Sequence, residues 1–439
     1  MTDLVQKLRR APYESYAYSY PHKSAYRILE PAVGLADAWA SESKDSLFLY
    51  LHVPFCEMRC GFCNLFTTAN PETEARDAYM KALERQAKAV SRTLGGARFA
   101  RMAVGGGTPT YLDPASLDSL FDIAARAFGV DAQVVPTSCE TSPLTAGRDK
   151  LRVLRERGVE RVSIGVQSFD EREARAAGRP QRTDDVLSAL TGLREAEFPV
   201  LNIDLIYGLP GQSVQSWLAS LAAALRFAPE ELYLYPLYVR PLTGLERHPK
   251  EWDDIRLACY REGRALLLAE GYEQVSMRMF RSTRALSAEQ PVYCCQDDGM
   301  VGLGCGARSY TSALHYSNEY AVGACGVRGI IERYSASTSQ EFERAGYGFP
   351  LDDAEQRRRY IVKTLLRVEG LEQSDYRERF GREPVEDVPE LGALVESGLA
   401  AACASRLKLT KAGLELSDAI APLLYSARVR ELMRTYELH

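Results

Sequence analysis

The sequence predicts an α/β protein built on a parallel sheet, and two observations carry that expectation. Six strand-like runs rich in β-branched and aromatic residues recur at 46–54, 101–106, 134–140, 161–168, 200–207 and 231–239. Helix-like segments follow them near 73–93, 115–127, 146–157, 183–196, 213–227 and 253–270. Parallel neighbours need a crossover of about a dozen residues or more, so this alternation implies parallel pairing. The runs are also nearly continuously apolar, as strands covered on both faces must be. A barrel and an open doubly wound sheet both fit.

The elements follow in order. Residues 1–45 form an N-terminal extension in which Tyr13, Tyr16, Tyr18 and Tyr20 precede His22 and Lys23. Such a run either docks as a tail or lines a cavity for a planar ligand. Residues 46–275 hold the strand–helix rhythm. Gly105–Thr108, Glu140, Gln167, Asp204 and Gly208 fall at strand ends, where parallel sheets place their ligand sites. Residues 276–350 break the rhythm, and the Gly-, Cys- and Tyr-rich stretch 293–330 predicts irregular structure closing the site. Residues 351–439 begin with a helical pattern over 353–368, with Ile361, Leu365, Leu366 and Val368 on its face. A short strand pair and a last helix give this region a winged-helix-like pattern.

Composition excludes several classes. The chain has 439 residues, 46% hydrophobic and 26% charged, so it carries a sizeable core and is not broadly disordered. Lys and Arg total 54 against 59 Asp and Glu, a net charge of −5 that argues against a phosphate-tracking nucleic-acid surface. No stretch reaches the ~18 uninterrupted apolar residues of a membrane span. Asp3, Lys7, Arg9 and Arg10 deny the N-terminus a secretion signal, so a cytoplasmic monomer is expected. Ten cysteines in a chain this long point to metal ligands or redox groups rather than a disulfide framework.

The sharpest motif is Cys56-Glu57-Met58-Arg59-Cys60-Gly61-Phe62-Cys63, directly after the first strand. Soft thiolate ligands select iron–sulfur clusters or zinc. Structural zinc usually arrives with paired CxxC units, and no second pair lies nearby. Three thiolates in one loop fit a [4Fe–4S] cluster with one iron left open.

This motif resembles that of the radical S-adenosylmethionine (SAM) enzymes. Tyr50-Leu-His-Val-Pro-Phe-Cys56, Gly105-Gly-Gly-Thr-Pro-Thr110, Gly165-Val-Gln-Ser-Phe169, Asp204-Leu-Ile-Tyr-Gly-Leu-Pro210 and Gly302-Leu-Gly-Cys-Gly-Ala-Arg-Ser-Tyr310 are similar, in order and spacing, to the HemN/HemW branch. The resemblance runs from about residue 45 to 425. It implies an incomplete (β/α)6 TIM-like barrel, open on one side, with a helical, winged-helix-like C-terminal domain. It implies that Cys56, Cys60 and Cys63 hold the cluster, and that Tyr50, Gly105, Gly106, Gly107 and Glu140 contact the first SAM. Glycines admit the aminocarboxylate closely because no Cβ intervenes. A second SAM would meet Phe62, Gly107, Thr108, Gln167, Arg179 and Asp204, where an arginine and an aspartate suit a zwitterion; the alternative is a buried Arg179–Asp204 salt bridge. Arg308 aligns with a further backbone contact.

The chain also departs from its relatives. Leu65 stands where coproporphyrinogen dehydrogenases carry another cysteine, and the Tyr-rich extension departs from the heme chaperones. Three functions follow from the resemblance: methyl or methylene transfer from a second SAM to an sp² carbon of a small biosynthetic substrate, oxidative decarboxylation of a porphyrinogen, and heme trafficking. The expected partners are a planar, aromatic or tetrapyrrole small molecule and an electron donor such as flavodoxin or ferredoxin; neither nucleic acid nor membrane is expected. No catalytic proton or electron donor is assigned. Cys294, Cys295, Cys305 and Cys325 match no ferredoxin-like spacing; His52 reads as structural, and His22 and His315 are candidate acid–base groups for which a core or surface role is the first reading.

Overall fold

The computed structural model describes residues 3–13, 16, 19–245, 254–285 and 299–437. Strand β1 (Arg27–Gly34) belongs to the N-terminal segment. Strands β2 (Leu47–Val53), β3 (Phe99–Gly106), β4 (Thr137–Thr141), β5 (Arg161–Gln167), β6 (Val200–Tyr207) and β7 (Glu231–Pro236) follow. Each pairs in parallel with the next, giving the six-stranded arc of an incomplete barrel. Helices 73–94, 114–128, 148–156, 183–195 and 214–225 form the crossovers. Their start and stop chemistry is local: Asp113 accepts the Ser116 N–H ahead of Pro114, and Gly129 ends the same helix in the left-handed conformation.

The arc continues at both edges. Strands β8 (Tyr272–Gln274) and β9 (Met279–Ser282) form a hairpin, with β9 antiparallel to β7. Strands β10 (Met300–Leu303), β11 (Arg308–Tyr310), β12 (Leu314–Ser317) and β13 (Arg344–Pro350) extend the other edge, with β10 parallel to β2 and β13 antiparallel to β1. The whole is one thirteen-stranded sheet whose order runs from β1 to β8, so the barrel stays open.

This corrects the expectation of irregular structure over 293–330, where three strands and helix 324–336 stand. The glycines that suggested a loop serve tight strand geometry instead. At Gly302 a Cβ would collide with the Arg308 carbonyl oxygen, and Gly304 and Gly306 adopt positive φ in the turn between β10 and β11. Cys294 and Cys295 lie outside the described residues. The helix expected over 353–368 ends at Leu365, because Val368 N–H bonds to the Val275 carbonyl.

The main core packs the arc against its crossover helices. A second core joins the C-terminal helices to a three-stranded sheet of residues 371–372, 400–403 and 406–409. Tyr20, Tyr26, Val5 and Leu8 also belong to it, so the N-terminal segment packs with the far end of the chain. Among the described residues no helix is long and apolar enough to cross a membrane.

Candidate functional site

The carboxyl ends of the parallel strands open into a cavity of about 750 Å³. Cys56 follows β2 directly, and backbone bonds fix its loop: Gly107 N–H donates to the Val53 carbonyl at 2.7 Å and Thr108 N–H to that of Phe55 at 2.8 Å. Gly107 is required by proximity, since a Cβ there would stand 2.9 Å from Cys56 Sγ. Gly61 N–H reaches the Ala177 carbonyl at 3.1 Å, tying the middle of the loop to the end of the short helix 171–176 that follows β5.

Cys56, Cys60 and Cys63 are free thiols and all three line the cavity. Burial pushes the Cys56 thiol up to about 12, with Cys63, Glu57 and Cys60 adding to the effect against the Thr108 hydroxyl. Thiols so placed become thiolates when a cation compensates them. Among the described residues no three His, Cys, Asp or Glu side chains are grouped closely enough to hold a single metal ion. Three thiols on the wall of one roomy cavity fit a polynuclear iron–sulfur cluster, in which each sulfur meets a different iron.

Around the thiols stand the other expected residues. Gly106 N–H donates to Glu140 Oε2 at 3.0 Å. Glu140 is open to the cavity, and the loss of bulk water within it raises the carboxyl to about 7, opposed by that bond and reinforced by Asp204. Tyr50 Oη lies 3.3 Å from His52 Nδ1, and the buried His52 ring packs under Gly106, its Nε2 at 3.1 Å from the Phe66 carbonyl. His52 is buried and bonded within the fold, and its ring also borders the cavity. Phe62 faces the cavity against Ile206 and Leu237.

Gln167 ends β5 at a register shift with φ of 69°, a left-handed conformation uncommon outside glycine. Arg179 donates from Nη1 to Cys60 Sγ at 3.1 Å, from Nη2 to the Gly165 carbonyl at 2.8 Å and from Nε to Gln181 at 2.9 Å. Asp204 accepts from Ser163 Oγ at 3.1 Å and Asn202 Nδ2 at 2.8 Å. Burial raises its carboxyl to about 6, against the Asn202 bond and the Arg161 charge. The Arg179–Asp204 salt bridge considered above is not formed: the two side chains bond to different partners on one cavity wall. Thr108 and Arg308 also line the cavity, Arg308 from the start of β11.

Tyr16 lines the cavity and stacks on Tyr238 at 6.3 Å, whereas Tyr13 and Tyr20 are buried in the two cores and Tyr18 lies outside the described residues. The extension therefore both docks and lines. Sequence reasoning missed Tyr238, Arg240, Tyr320 and Tyr436 as wall residues; no local motif marks them, because distant segments bring them together. Cys305 is buried beside Tyr79 and Cys325 is exposed, both off the cavity wall. His22 lines the cavity, and His315 is buried with Nε2 2.8 Å from Arg359.

The Radical SAM superfamily model matches residues 50–224. The heme chaperone HemW of Escherichia coli is 30% identical over 275 residues, 60% of this chain and 69% of that one. The chain belongs to the radical SAM superfamily, in its HemN/HemW branch. HemW of Bacillus subtilis is 26% identical over 386 residues, covering 84% of this chain and 97% of its own length. The oxygen-independent coproporphyrinogen III oxidase of E. coli is 27% identical over 377 residues, 80% of either chain. The solved structure of E. coli HemN shares the fold, with a TM-score of 0.80 at 24% identity over 93% of this chain and 96% of that one. This radical SAM family uses a [4Fe–4S] cluster and SAM, and the three cavity thiols fit the cluster's protein ligands.

Proposed function

We propose that this radical SAM protein is an enzyme that binds two SAM molecules and transfers a methyl or methylene carbon from the second to an sp² carbon of a small substrate. One observation carries the reading: Arg179, Gln167 and Asp204 share the cavity wall beside the cysteines without Arg179 and Asp204 neutralising each other. Three of the five guanidinium N–H groups of Arg179 are used by the protein, leaving two for a carboxylate. Asp204 supplies the opposite charge for an ammonium or sulfonium.

When bound at Cys56, Cys60 and Cys63, the cluster supplies one-electron cleavage of SAM to methionine and a 5′-deoxyadenosyl radical. The chain's residues do the rest. Gly106 and Gly107 would admit the first SAM's aminocarboxylate and Glu140 would accept from its ribose, with Tyr50, Thr108, Phe62 and Arg308 lining the enclosure; Gly105, expected beside them, is not among the lining residues and packs against Glu140 instead. Asp204, Arg179 and Gln167 would hold the second SAM, whose methyl group is the carbon to be transferred.

Product analysis tests this. The expected products are 5′-deoxyadenosine together with S-adenosylhomocysteine, with deuterium from methyl-labelled SAM in the deoxyadenosine. Asp204→Ala suppresses S-adenosylhomocysteine while the cluster stays. Porphyrinogen decarboxylation, favoured by the match to the E. coli oxidase over 80% of the chain, would give deoxyadenosine and carbon dioxide with neither homocysteine product nor label. Heme trafficking, favoured by the near full-length match to a heme chaperone, would give little SAM turnover and a saturable heme titration.

A further inference from the structure

The cavity's charge distribution narrows the substrate. Its inner wall, at the strand ends, carries the carboxyls of Glu140 and Asp204, the second acting on the first, and one guanidinium, Arg179, already bonded to Cys60, Gly165 and Gln181. The facing wall carries three basic side chains and one carboxylate, Glu319, which is paired with Arg333 at 2.8 Å. Lys23 comes from the helical turn 23–25, Arg240 from the loop after β7 and Arg308 from β11; burial above all, and then neighbouring positive charges including both arginines, hold Lys23 and His22 well below their ordinary ranges, a shift that a bound anion would oppose. Lys23 Nζ stands 3.5 Å from the Tyr320 ring centroid, stacked rather than ion-paired. Among the described residues, the charges acting on Lys23 are Arg308, Arg240 and the Cys63 thiol, with no carboxylate.

Like charges gathered on an enclosed wall repel one another, and clefts lined by one sign concentrate ions of the other. We infer that Lys23, Arg240 and Arg308 form the subsite for an anionic group of the substrate, a carboxylate or a phosphate, with Lys23 as its anchor. Between the two walls, Tyr16, Tyr235 and Tyr238 form a packed aromatic cluster, with Arg240 4.9 Å from the Tyr238 ring centroid, that borders the space left for a planar carbon framework. The inference rests on the proposed enzymatic reading for the claim that the bound anion is the substrate. The competing explanation is that Lys23 serves the thiolates instead, since Cys63 is among its neighbours.

The experiment uses the full chain with its reconstituted cluster, held anaerobically without SAM, and three probes of one shape: 2-naphthoate, 2-naphthyl phosphate and the neutral 2-naphthamide. Calorimetric titration is expected to show at least one acid binding about tenfold tighter than the amide, the scale of one charge-assisted contact. Whichever acid binds tighter identifies the anion. Lys23→Met is expected to bring the acids down to the amide's affinity, and Lys23→Arg to retain the preference. Arg240→Met weakens acid binding in the same direction and carries the test if Lys23→Met does not fold. Equal affinities in the wild type, or no binding, overturn the inference. So does an acid preference that survives Lys23→Met; iron loss in that variant with the preference intact assigns Lys23 to the thiolates. Deoxyadenosine formation by the wild-type protein is measured separately without the probes, so failure of the radical SAM reading is told apart from failure of the anion subsite.

Discussion

The two walls of the cavity are built differently. On the inner wall the two carboxylates lie on barrel strands and are held by neighbours on the same or an adjacent strand, with Arg179 reaching in from the loop after helix 171–176. Glu140 accepts from Gly106, and Asp204 from Asn202 and Ser163. The outer wall is assembled from remote segments. Tyr436 Oη donates to the Tyr320 carbonyl at 2.9 Å, and Tyr238 and Arg278 both donate to the buried Asp418 of the C-terminal unit. The Arg278 guanidinium lies 4.1 Å from the Tyr16 ring centroid, which ties the N-terminal segment to that pair. A wall made from strand ends is fixed by the barrel itself, whereas one made from joined segments can change without disturbing the strands. Generic chemistry belongs on the first and substrate choice on the second.

The largest expected effect tests the inner wall alone. Replacing Cys56, Cys60 and Cys63 by alanine abolishes iron and sulfide binding after anaerobic reconstitution and leaves the far-ultraviolet circular dichroism unchanged. Any variant set retaining a full cluster would place its ligands elsewhere. Next comes the junction behind the outer wall. Asp418→Asn leaves Arg278 buried without its counter-charge and lowers urea stability by about 3–5 kcal/mol, with both side chains almost wholly enclosed. Wild-type stability in that variant would mean that the walls are joined by something other than this pair.

A smaller effect is expected where the outer wall meets β2. Gly302→Ala drives a methyl into the Arg308 carbonyl and costs about 1–3 kcal/mol, read by thermal unfolding. Gly346→Ala on β13, where a Cβ meets nothing within 4 Å, is the matched control and stays within about 0.5 kcal/mol of wild type. Equal losses in the two would remove the packing argument. The smallest effect is on pH dependence. Asp204 binds its proton more tightly folded, at about 6, than an ordinary carboxyl does, because burial disfavours its charge despite Asn202, Arg161 and Ser163. Its neutral form therefore contributes stability that is full below the ordinary carboxylate range and is lost as pH rises through about 6. Glu140 acts in the same sense, more weakly because it is open to the cavity. Unfolding midpoints of the cluster-free protein are expected to fall between about pH 4.5 and 7, and Asp204→Asn to flatten the profile. An unchanged slope in Asp204→Asn would remove Asp204 from the account.

Much of the inner wall was legible from the amino-acid order, since a strand, its terminal polar residue and the following turn are contiguous. Cys56, Gly107, Glu140 and Asp204 all line the cavity as expected. The strand–helix order was legible for the same reason. The sheet beyond the six strands was not: Gly302, Gly304 and Gly306 look like loop residues until the close approach of Arg308, Tyr79 and His52 explains them. Nor was the outer wall, because Lys23, Arg240, Tyr320 and Tyr436 share no local pattern and meet only through long-range packing.

The sheet's order also sets a timetable. Strand β2, which leads into the cysteine loop, has β3 on one side and β10 on the other, and β1 finds its partner only in β13. Growing at about 5–20 residues per second, a nascent chain spends on the order of tens of seconds with β2 half-paired. During that interval the N-terminal lysine and tyrosines have no partner strand to hold them over the cavity. The three thiols are then reachable from the side that the finished protein covers. The strands that complete this side of the cysteine loop are thus among the later ones made.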